Sequence, residues 1–129
     1  MNSQQAMSAY AQTKTQSGVD SASPSQLITM LLDGALERVA AAQGHMERGE
    51  RPPQGELIGK AIDIVASLDS YLDHERGGEV STTLESLYDY MVRQLYYANL
   101  KNDTVALEEV SSLLKEIRAG WVESTQNKG

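Results

Sequence analysis

Cysteine is absent from this chain of 129 residues, so the sequence predicts no disulfide, no thiolate metal site and no cysteine nucleophile. A basic stripe is also absent, because the net charge is −7 and the acidic excess is spread along the chain. Affinity for nucleic acid rests largely on the neutralisation of phosphates by Lys and Arg. We therefore expect no nucleic-acid partner.

Long hydrophobic runs are missing as well. No apolar run approaches the roughly 18 residues of a membrane span, and residues 1–20 lack the basic start and apolar centre of a signal peptide. The length fits one domain, and we expect a cytoplasmic protein without direct membrane insertion. Phenylalanine is absent too: the aromatic residues are six Tyr and one Trp, whose polar groups suit half-buried surfaces.

Apolar residues recur at helical spacing in four segments. The first predicted helix spans about 24–48, and Ser23 and Gln26 can form a capping box at its start. The second predicted helix spans about 54–75 and is stopped by the Gly77-Gly78 pair, whose freedom at positive φ suits a helix end.

The third predicted helix begins with a capping box formed by Thr82 and Glu85 and ends near Asn102. Asp103 can cap the fourth helix, whose apolar pattern fades after Val122. Four helices joined by short loops predict an all-α fold, an antiparallel up-and-down four-helix bundle.

Three segments differ in composition. Residues 1–20 are rich in Gln, Ser, Ala and Thr, and we expect a mobile or conditionally helical N-terminal segment. The bundle domain is expected over residues 21–125. The polar residues 126–129 are expected to form a disordered tail.

The sequence contains none of the usual motifs of a metal-binding or catalytic site. A metal pair in a four-helix bundle needs Glu-x-x-His motifs, but the residues three positions before His45 and His74 are Ala42 and Tyr71. The acidic neighbours of His74 lie on consecutive turn residues that point apart, and no nucleophile is placed beside them. We expect no enzymatic activity, no catalytic residue, no metal and no cofactor.

Apolar residues cover more of the predicted helices than a core-facing stripe requires. On the second helix they sweep roughly half the circumference. On the third, Tyr90 and Tyr97 stack about 100° from the core face, with Tyr96 and Leu100 on the opposite flank. This excess predicts a groove for a partner's amphipathic helix or extended chain. From the residues alone, a dimer interface and a bundle that buries each helix on two sides are equally good alternatives.

Several blocks of the sequence closely resemble the FliS family, cytoplasmic chaperones that hold flagellin before its export. The blocks follow in the family's order, and they comprise Ser21 to Leu36, Asp73 to Val80, Leu87 to Met91, Ala98 to Asp103, and Trp121. Leu32 departs from the family, because many members carry an aromatic residue there, and this difference could alter one pocket.

The resemblance implies a function. Such chaperones bind the disordered C-terminal segment of flagellin, prevent its premature polymerisation and deliver it to the flagellar type III export apparatus. It also implies that Met7 and Tyr10 help to dock the loaded complex on the export gate's membrane protein. Together with the excess apolar positions, the resemblance predicts these client-binding residues: Leu32, Leu36, Val39, Ile58, Ile62, Tyr71, Tyr90, Tyr97 and Leu100.

Two alternative functions stay open at the level of sequence. The first is a regulatory helical adaptor for an anti-sigma factor or another flagellar assembly protein. The second is a purely structural helical protein, in which the excess apolar surface forms a homodimer when the protein is free. The sequence does not discriminate between these alternatives and flagellin binding.

Overall fold

The computed structural model describes residues 22–127, and this part of the chain is all-α, as predicted. No strand occurs among the described residues. The helices, in chain order, are α1 (Pro24–Glu47), α2 (Arg51–Ser70), α3 (His74–Gly77), α4 (Glu79–Lys101) and α5 (Thr104–Asn127).

The start of α1 confirms the predicted capping box. The Ser23 hydroxyl accepts a hydrogen bond from the Gln26 backbone N–H at 3.2 Å. The Ser23 backbone N–H donates to Gln26 Oε1 at 2.7 Å. Pro24 occupies the first turn, where its missing N–H costs nothing. Two backbone N–H groups that a helix leaves unpaired are thus satisfied locally.

The prediction of one helix over 54–75 is wrong at both ends. α2 begins earlier, at Arg51, because proline is tolerated in a first helical turn. It ends at Ser70, and a separate turn, α3, follows. Asp73 caps α3, since its Oδ1 accepts hydrogen bonds from the backbone N–H groups of Glu75 and Arg76, both at 3.1 Å. A side chain that binds these N–H groups competes with helix continuation.

The predicted capping box of Thr82 and Glu85 is also wrong. α4 begins before it, at Glu79, and the Thr82 hydroxyl instead donates to the backbone carbonyl of Gly78 at 3.2 Å. At the other end, Asn102 adopts a left-handed conformation with φ 56° and terminates α4. Asp103 Oδ1 accepts from two N–H groups in the first turn of α5, at 2.9 and 3.2 Å, and so confirms the predicted cap.

α5 continues to Asn127, past Val122, where the apolar pattern fades. Residues 126 and 127 therefore extend the helix, although the sequence predicted a disordered tail from residue 126. Residues 128 and 129 and the N-terminal segment, with Met7 and Tyr10, lie outside the described residues.

The four long helices form a closed ring. α1 packs on α2, α2 on α4, α4 on α5, and α5 returns to α1, so each helix has two neighbours. The α1–α2 contact is the most extensive and the α4–α5 contact the least. Consecutive neighbours joined by short loops give the up-and-down order that the sequence predicted. The largest fully buried apolar residues include Leu31, Leu32, Leu68, Met91, Leu95, Leu107 and Leu114.

Polar contacts connect the last helix to the first. The Trp121 indole Nε1–H donates to the backbone carbonyl of Ser25 at 3.1 Å. One turn earlier, the Arg118 guanidinium forms a hydrogen-bonded ion pair with the Asp33 carboxylate. These contacts fix the α1–α5 seam near the point at which the described chain begins.

Candidate binding surface

The nine predicted client-binding residues divide by burial. Leu32 and Val39 are completely buried and Ile58 is 2% exposed, so these three side chains belong to the core. Leu36 and Ile62 are half-buried and pack against it. The additional apolar residues of the first two helices are thus buried because each of these helices packs on two neighbours. A partner does not reach the three core residues while this packing holds.

Four of the nine residues are exposed: Tyr71, Tyr90, Tyr97 and Leu100, with exposed fractions of 47%, 36%, 46% and 73%. Three of them, Tyr90, Tyr97 and Leu100, lie on the second half of α4. Tyr71 follows α2, at the end of the bundle where α4 begins, and is therefore distant from Leu100. A single compact pocket does not contain all four residues.

Tyr90 and Tyr97 form an exposed pair that we call the tyrosine flank. They are separated by seven residues, which places them on the same side of α4 and about 10 Å apart along its axis. The Tyr90 hydroxyl donates to Glu109 Oε1 on α5 at 2.6 Å, and Gln94 Nε2 donates to the same oxygen at 2.9 Å. The tyrosine flank therefore lies beside the α4–α5 seam.

The hydrogen bond to Glu109 changes the chemistry of Tyr90. It raises the pKa of the Tyr90 hydroxyl, because ionisation would place a second negative charge beside the carboxylate. The hydroxyl therefore stays a donor, and the ring is fixed in orientation by a charged acceptor.

Further exposed apolar side chains lie at the turn between α4 and α5. Leu100 is 73% exposed near the end of α4, and Val105 is 69% exposed at the start of α5. Arg51 at the start of α2 donates to Asn102 Oδ1 at 2.6 Å, which attaches the turn to α2. The tyrosine flank, Leu100 and Val105 together offer apolar surface on an anchored scaffold.

A groove runs between α2 and α4, with a volume of about 460 Å³. Three of its side chains are carboxylates, Asp69, Glu85 and Asp89. The other lining residues are Val65, Ala66, Ser86, Tyr88 and Val92. We call this site the α2–α4 groove.

Burial and charge raise the pKa values of two groups in the α2–α4 groove. Burial raises the pKa of Asp69, and the negative charges of Glu85 and Asp89 act in the same direction, whereas His74 opposes them. Burial also raises the pKa of Tyr88 to about 12, and the Asp69 carboxylate adds to this shift. The groove is therefore a partly desolvated site of negative potential.

The carboxylates of this groove do not form a motif that the sequence alone reveals. The spacing of Glu85 and Asp89, four residues apart, could have placed these two on one face of α4. Asp69 lies on α2, and its proximity depends on the register between the two helices. A hydrogen bond of 2.9 Å from Gln54 Nε2 to Asn99 Oδ1 contributes to that register.

Each of the two histidines contacts a carboxylate. His45 Nδ1 lies 2.7 Å from Glu50 Oε1, which also accepts from Arg48 at 2.9 Å. His74 Nε2 lies 3.3 Å from Glu85 Oε2. Within residues 22–127, no group of three or more His, Asp or Glu side chains is arranged to hold a metal ion. No helix in that range is both long and apolar enough to cross a membrane.

Comparison with known proteins gives consistent matches. The family model described as flagellar protein FliS matches residues 6–128. The flagellar secretion chaperone FliSB of Pseudomonas aeruginosa is 48% identical over 121 residues, which cover 94% of this chain and 96% of the relative. The flagellar secretion chaperone FliS of Salmonella typhimurium is 49% identical over 88% of this chain and 84% of the relative.

A more distant relative, the flagellar secretion chaperone FliS of Bacillus subtilis, is 34% identical over 88% of this chain and 84% of its own length. The family model matches the whole of the described helical bundle, and the identities extend over most of the relatives' lengths. From the fold and these matches, the chain belongs to the FliS family of flagellar proteins.

Proposed function

We propose that this chain is a flagellar secretion chaperone that binds the disordered C-terminal segment of flagellin. Binding prevents premature polymerisation, and the complex is delivered to the flagellar type III export apparatus. Membership of the FliS family and the names of the relatives support the chaperone role. The observation that carries the choice of surface is the exposed apolar area of α4, centred on the tyrosine flank.

The spacing of the tyrosine flank suits an unfolded client. Tyr90 and Tyr97 lie about 10 Å apart, which equals seven residues of a client helix or three residues of an extended chain. A disordered segment adopts either form on binding, and its ordering entropy is offset by apolar burial. Tyrosine provides a large contact area with few rotatable bonds, which reduces the entropy lost at the interface.

Exposure on both ends of the bundle favours a long client segment. Tyr71 lies at the end where α2 stops, whereas Leu100 and Val105 lie at the α4–α5 turn. α4 has 23 residues and is therefore about 34 Å long. A disordered segment that contacts both ends would cover about this length, which is about ten residues of an extended chain.

The polymerisation assay tests this proposal. Purified flagellin is seeded with filament fragments, and its growth is followed by light scattering with and without an equimolar amount of this chain. We expect growth to stop in the presence of the chain and to resume when excess C-terminal flagellin peptide is added. Unchanged growth at equimolar and at fivefold excess chain would contradict the proposal.

The N-terminal segment has a separate role in the proposal. Met7 and Tyr10 lie three residues apart and would share one face of a helix formed there. We assign them to docking of the loaded complex on the export gate's membrane protein. Deletion of residues 1–18 tests this role, and it is wrong if flagellin binding and flagellin export are both unchanged.

A further inference from the structure

Glu109 on α5 contacts two successive turns of α4 beside the tyrosine flank. Its Oε1 atom accepts a hydrogen bond from the Tyr90 hydroxyl at 2.6 Å and a second one from Gln94 Nε2 at 2.9 Å. Gln94 follows Tyr90 by four residues and precedes Tyr97 by three, so the three side chains lie on one side of α4. One carboxylate oxygen of α5 therefore holds the hydroxyl end of the tyrosine flank.

These two hydrogen bonds lie at the weakest seam of the bundle. The contact between α4 and α5 is the least extensive of the four contacts between long helices. Hydrogen bonds to a charged acceptor are shorter and stronger than those between neutral groups. The carboxylate of Glu109 therefore contributes a large share of what fixes the position of α5 beside the tyrosine flank.

The Tyr90 ring is both accessible and anchored. It is 36% exposed, so a partner reaches it, and its hydroxyl is held by Glu109. The backbone fixes one end of a tyrosine side chain, and the hydrogen bond fixes the other. The ring therefore keeps one orientation before a partner binds. Ordering a free side chain at an interface has an entropy cost that corresponds to about twofold to tenfold in affinity, and an anchored ring avoids it.

We propose that Glu109 is a positioning residue of the client surface, which holds the Tyr90 ring in the orientation that the client contacts. Glu109 acts through Tyr90 and not by contact with the client. This inference rests on the proposed function and specifies how the tyrosine flank is prepared for its client. It assigns a role to α5, on which none of the nine predicted client-binding residues lies.

The test measures client binding by the full chain and by two variants, Glu109→Ala and Glu109→Gln. Titration calorimetry is performed with a peptide of roughly the last forty residues of flagellin from the same organism. Glu108→Ala is the matched control, because Glu108 is exposed, carries the same charge and also bridges two helices. Its Oε1 atom accepts a hydrogen bond from Gln43 Nε2 on α1 at 3.1 Å.

We expect Glu109→Ala to raise the dissociation constant about fivefold, because the Tyr90 ring is no longer anchored. Glu109→Gln should stay within about twofold of wild type, since its amide oxygen accepts the same hydrogen bonds. Glu108→Ala should also stay within about twofold, because an exposed charge contributes little. The proposal is overturned if glutamine weakens binding as much as alanine does, since the charge would then matter and not the anchored ring. An equal loss in Glu108→Ala overturns it as well.

Tyr90→Phe removes the same hydrogen bond from the other side and keeps the ring. We expect it to weaken binding by the same factor as Glu109→Ala, and the double variant to weaken binding no further. If the two effects instead multiply in the double variant, Glu109 contacts the client directly and the proposal is wrong. Tyr90→Phe also tests the proposal if Glu109→Ala does not fold, because unchanged binding by Tyr90→Phe contradicts it.

The pKa of Tyr90 shows whether the hydrogen bond forms in solution. The bond to Glu109 raises this pKa, whereas the nearby Arg93 acts in the opposite direction and is present in every variant. In protein labelled with carbon-13 at the tyrosine Cζ position, the Tyr90 signal is identified by its absence from Tyr90→Phe. We expect it to titrate at a lower pH in Glu109→Ala than in the wild-type chain. Equal pKa values in the two proteins would overturn the proposal.

Failure of this inference is distinguishable from failure of the proposed function. If the wild-type chain binds the peptide and Glu109→Ala binds it within twofold of wild type, the inference is wrong and the proposed function stands. If the wild-type chain does not bind the peptide, the proposed function fails and the inference fails with it.

Discussion

Removal of the Tyr97 side chain should weaken client binding and still leave the chain folded. Aromatic side chains bury about 150–250 Å² each. Tyr97 is 46% exposed, which leaves about 90 Å² of a typical 200 Å² for a partner. At about 25 cal/mol per Å², the loss in Tyr97→Ala is about 2 kcal/mol. We therefore expect the dissociation constant for the flagellin peptide to rise about 30-fold.

The same substitution should leave the chain folded. Tyr97 is not part of the fully buried core, but about 110 Å² of its side chain is covered in the fold, so the same area arithmetic puts the cost of its removal at up to about 3 kcal/mol. Since single domains are stable by about 5–15 kcal/mol, nearly all molecules stay native at 25 °C. Urea unfolding measures this loss directly and is performed on the protein sample used for calorimetry.

Lys115→Ala is the control, because Lys115 is exposed on α5, ten residues beyond Val105, and none of the nine predicted client-binding residues lies on that helix. We expect its dissociation constant to stay within about twofold of wild type. A role of Tyr97 in client binding is contradicted if Tyr97→Ala is folded and binds within twofold of wild type. It is also refuted if both variants weaken binding equally, because exposure alone would then explain the effect.

Three further predictions concern the fold. Asp103→Ala should lower the free energy of unfolding in urea by about 1 kcal/mol through the lost α5 cap, and Asp103→Asn should restore most of it. Because the folded-state pKa of Tyr88 is raised from 10.0 to about 12, its contribution to stability is complete below pH 10 and is lost as the pH rises to about 12. Tyr88→Phe should reduce this alkaline fall, and an equally steep fall in both proteins contradicts the assignment. Arg118→Met should lower the free energy of unfolding by at most about 1 kcal/mol, with a smaller effect in 1 M salt, whereas a salt-independent loss is inconsistent with the Asp33 ion pair.

The sequence alone predicted a helix cap correctly where the capping residue and its partners are close in the chain. Ser23 with Gln26 and Asp103 with the first turn of α5 form the predicted hydrogen bonds. These contacts join residues two or three positions apart, so their chemistry is readable without the fold. The family resemblance and the four-helix bundle are confirmed for the same reason, since helical periodicity and short loops are properties of the chain itself.

Competition between local alternatives caused the errors in helix boundaries. Leu57 to Leu72 follow one helical pattern, but Asp73 caps a separate turn and α2 ends at Ser70. Thr82 has the spacing of a capping box, yet its hydroxyl donates backwards to Gly78 within a helix that has already begun. Periodicity describes which face is apolar and does not decide which of two caps is used.

Packing partners decided which apolar residues stay exposed. Leu32, Val39 and Ile58 appeared to exceed one core-facing stripe, but α1 and α2 each pack on two neighbours and bury them. Tyr90 and Tyr97 were predicted to lie off the core face of their helix, and they are exposed. The exposed apolar surface therefore lies mainly on α4, and the contact of α4 with α5 is the least extensive of the four contacts between long helices.

The charge pattern of the α2–α4 groove could not be predicted from one sequence. Asp69 and Glu85 lie on different helices, and a shift of one turn between those helices would separate them. The burial of Asp69 Oδ1 also depends on packing rather than on composition. Long-range register and desolvation are therefore the information that the structure adds.

Titration calorimetry of the full chain with the C-terminal flagellin peptide tests directly whether this chain binds flagellin. We predict one-to-one binding with a negative heat-capacity change, because apolar surface is buried as the disordered peptide orders. Binding should be lost when the peptide is replaced by one of equal length and composition in scrambled order. The absence of heat across a range of temperatures, together with no mobility shift of the complex, would contradict the claim that this chain is a flagellin chaperone.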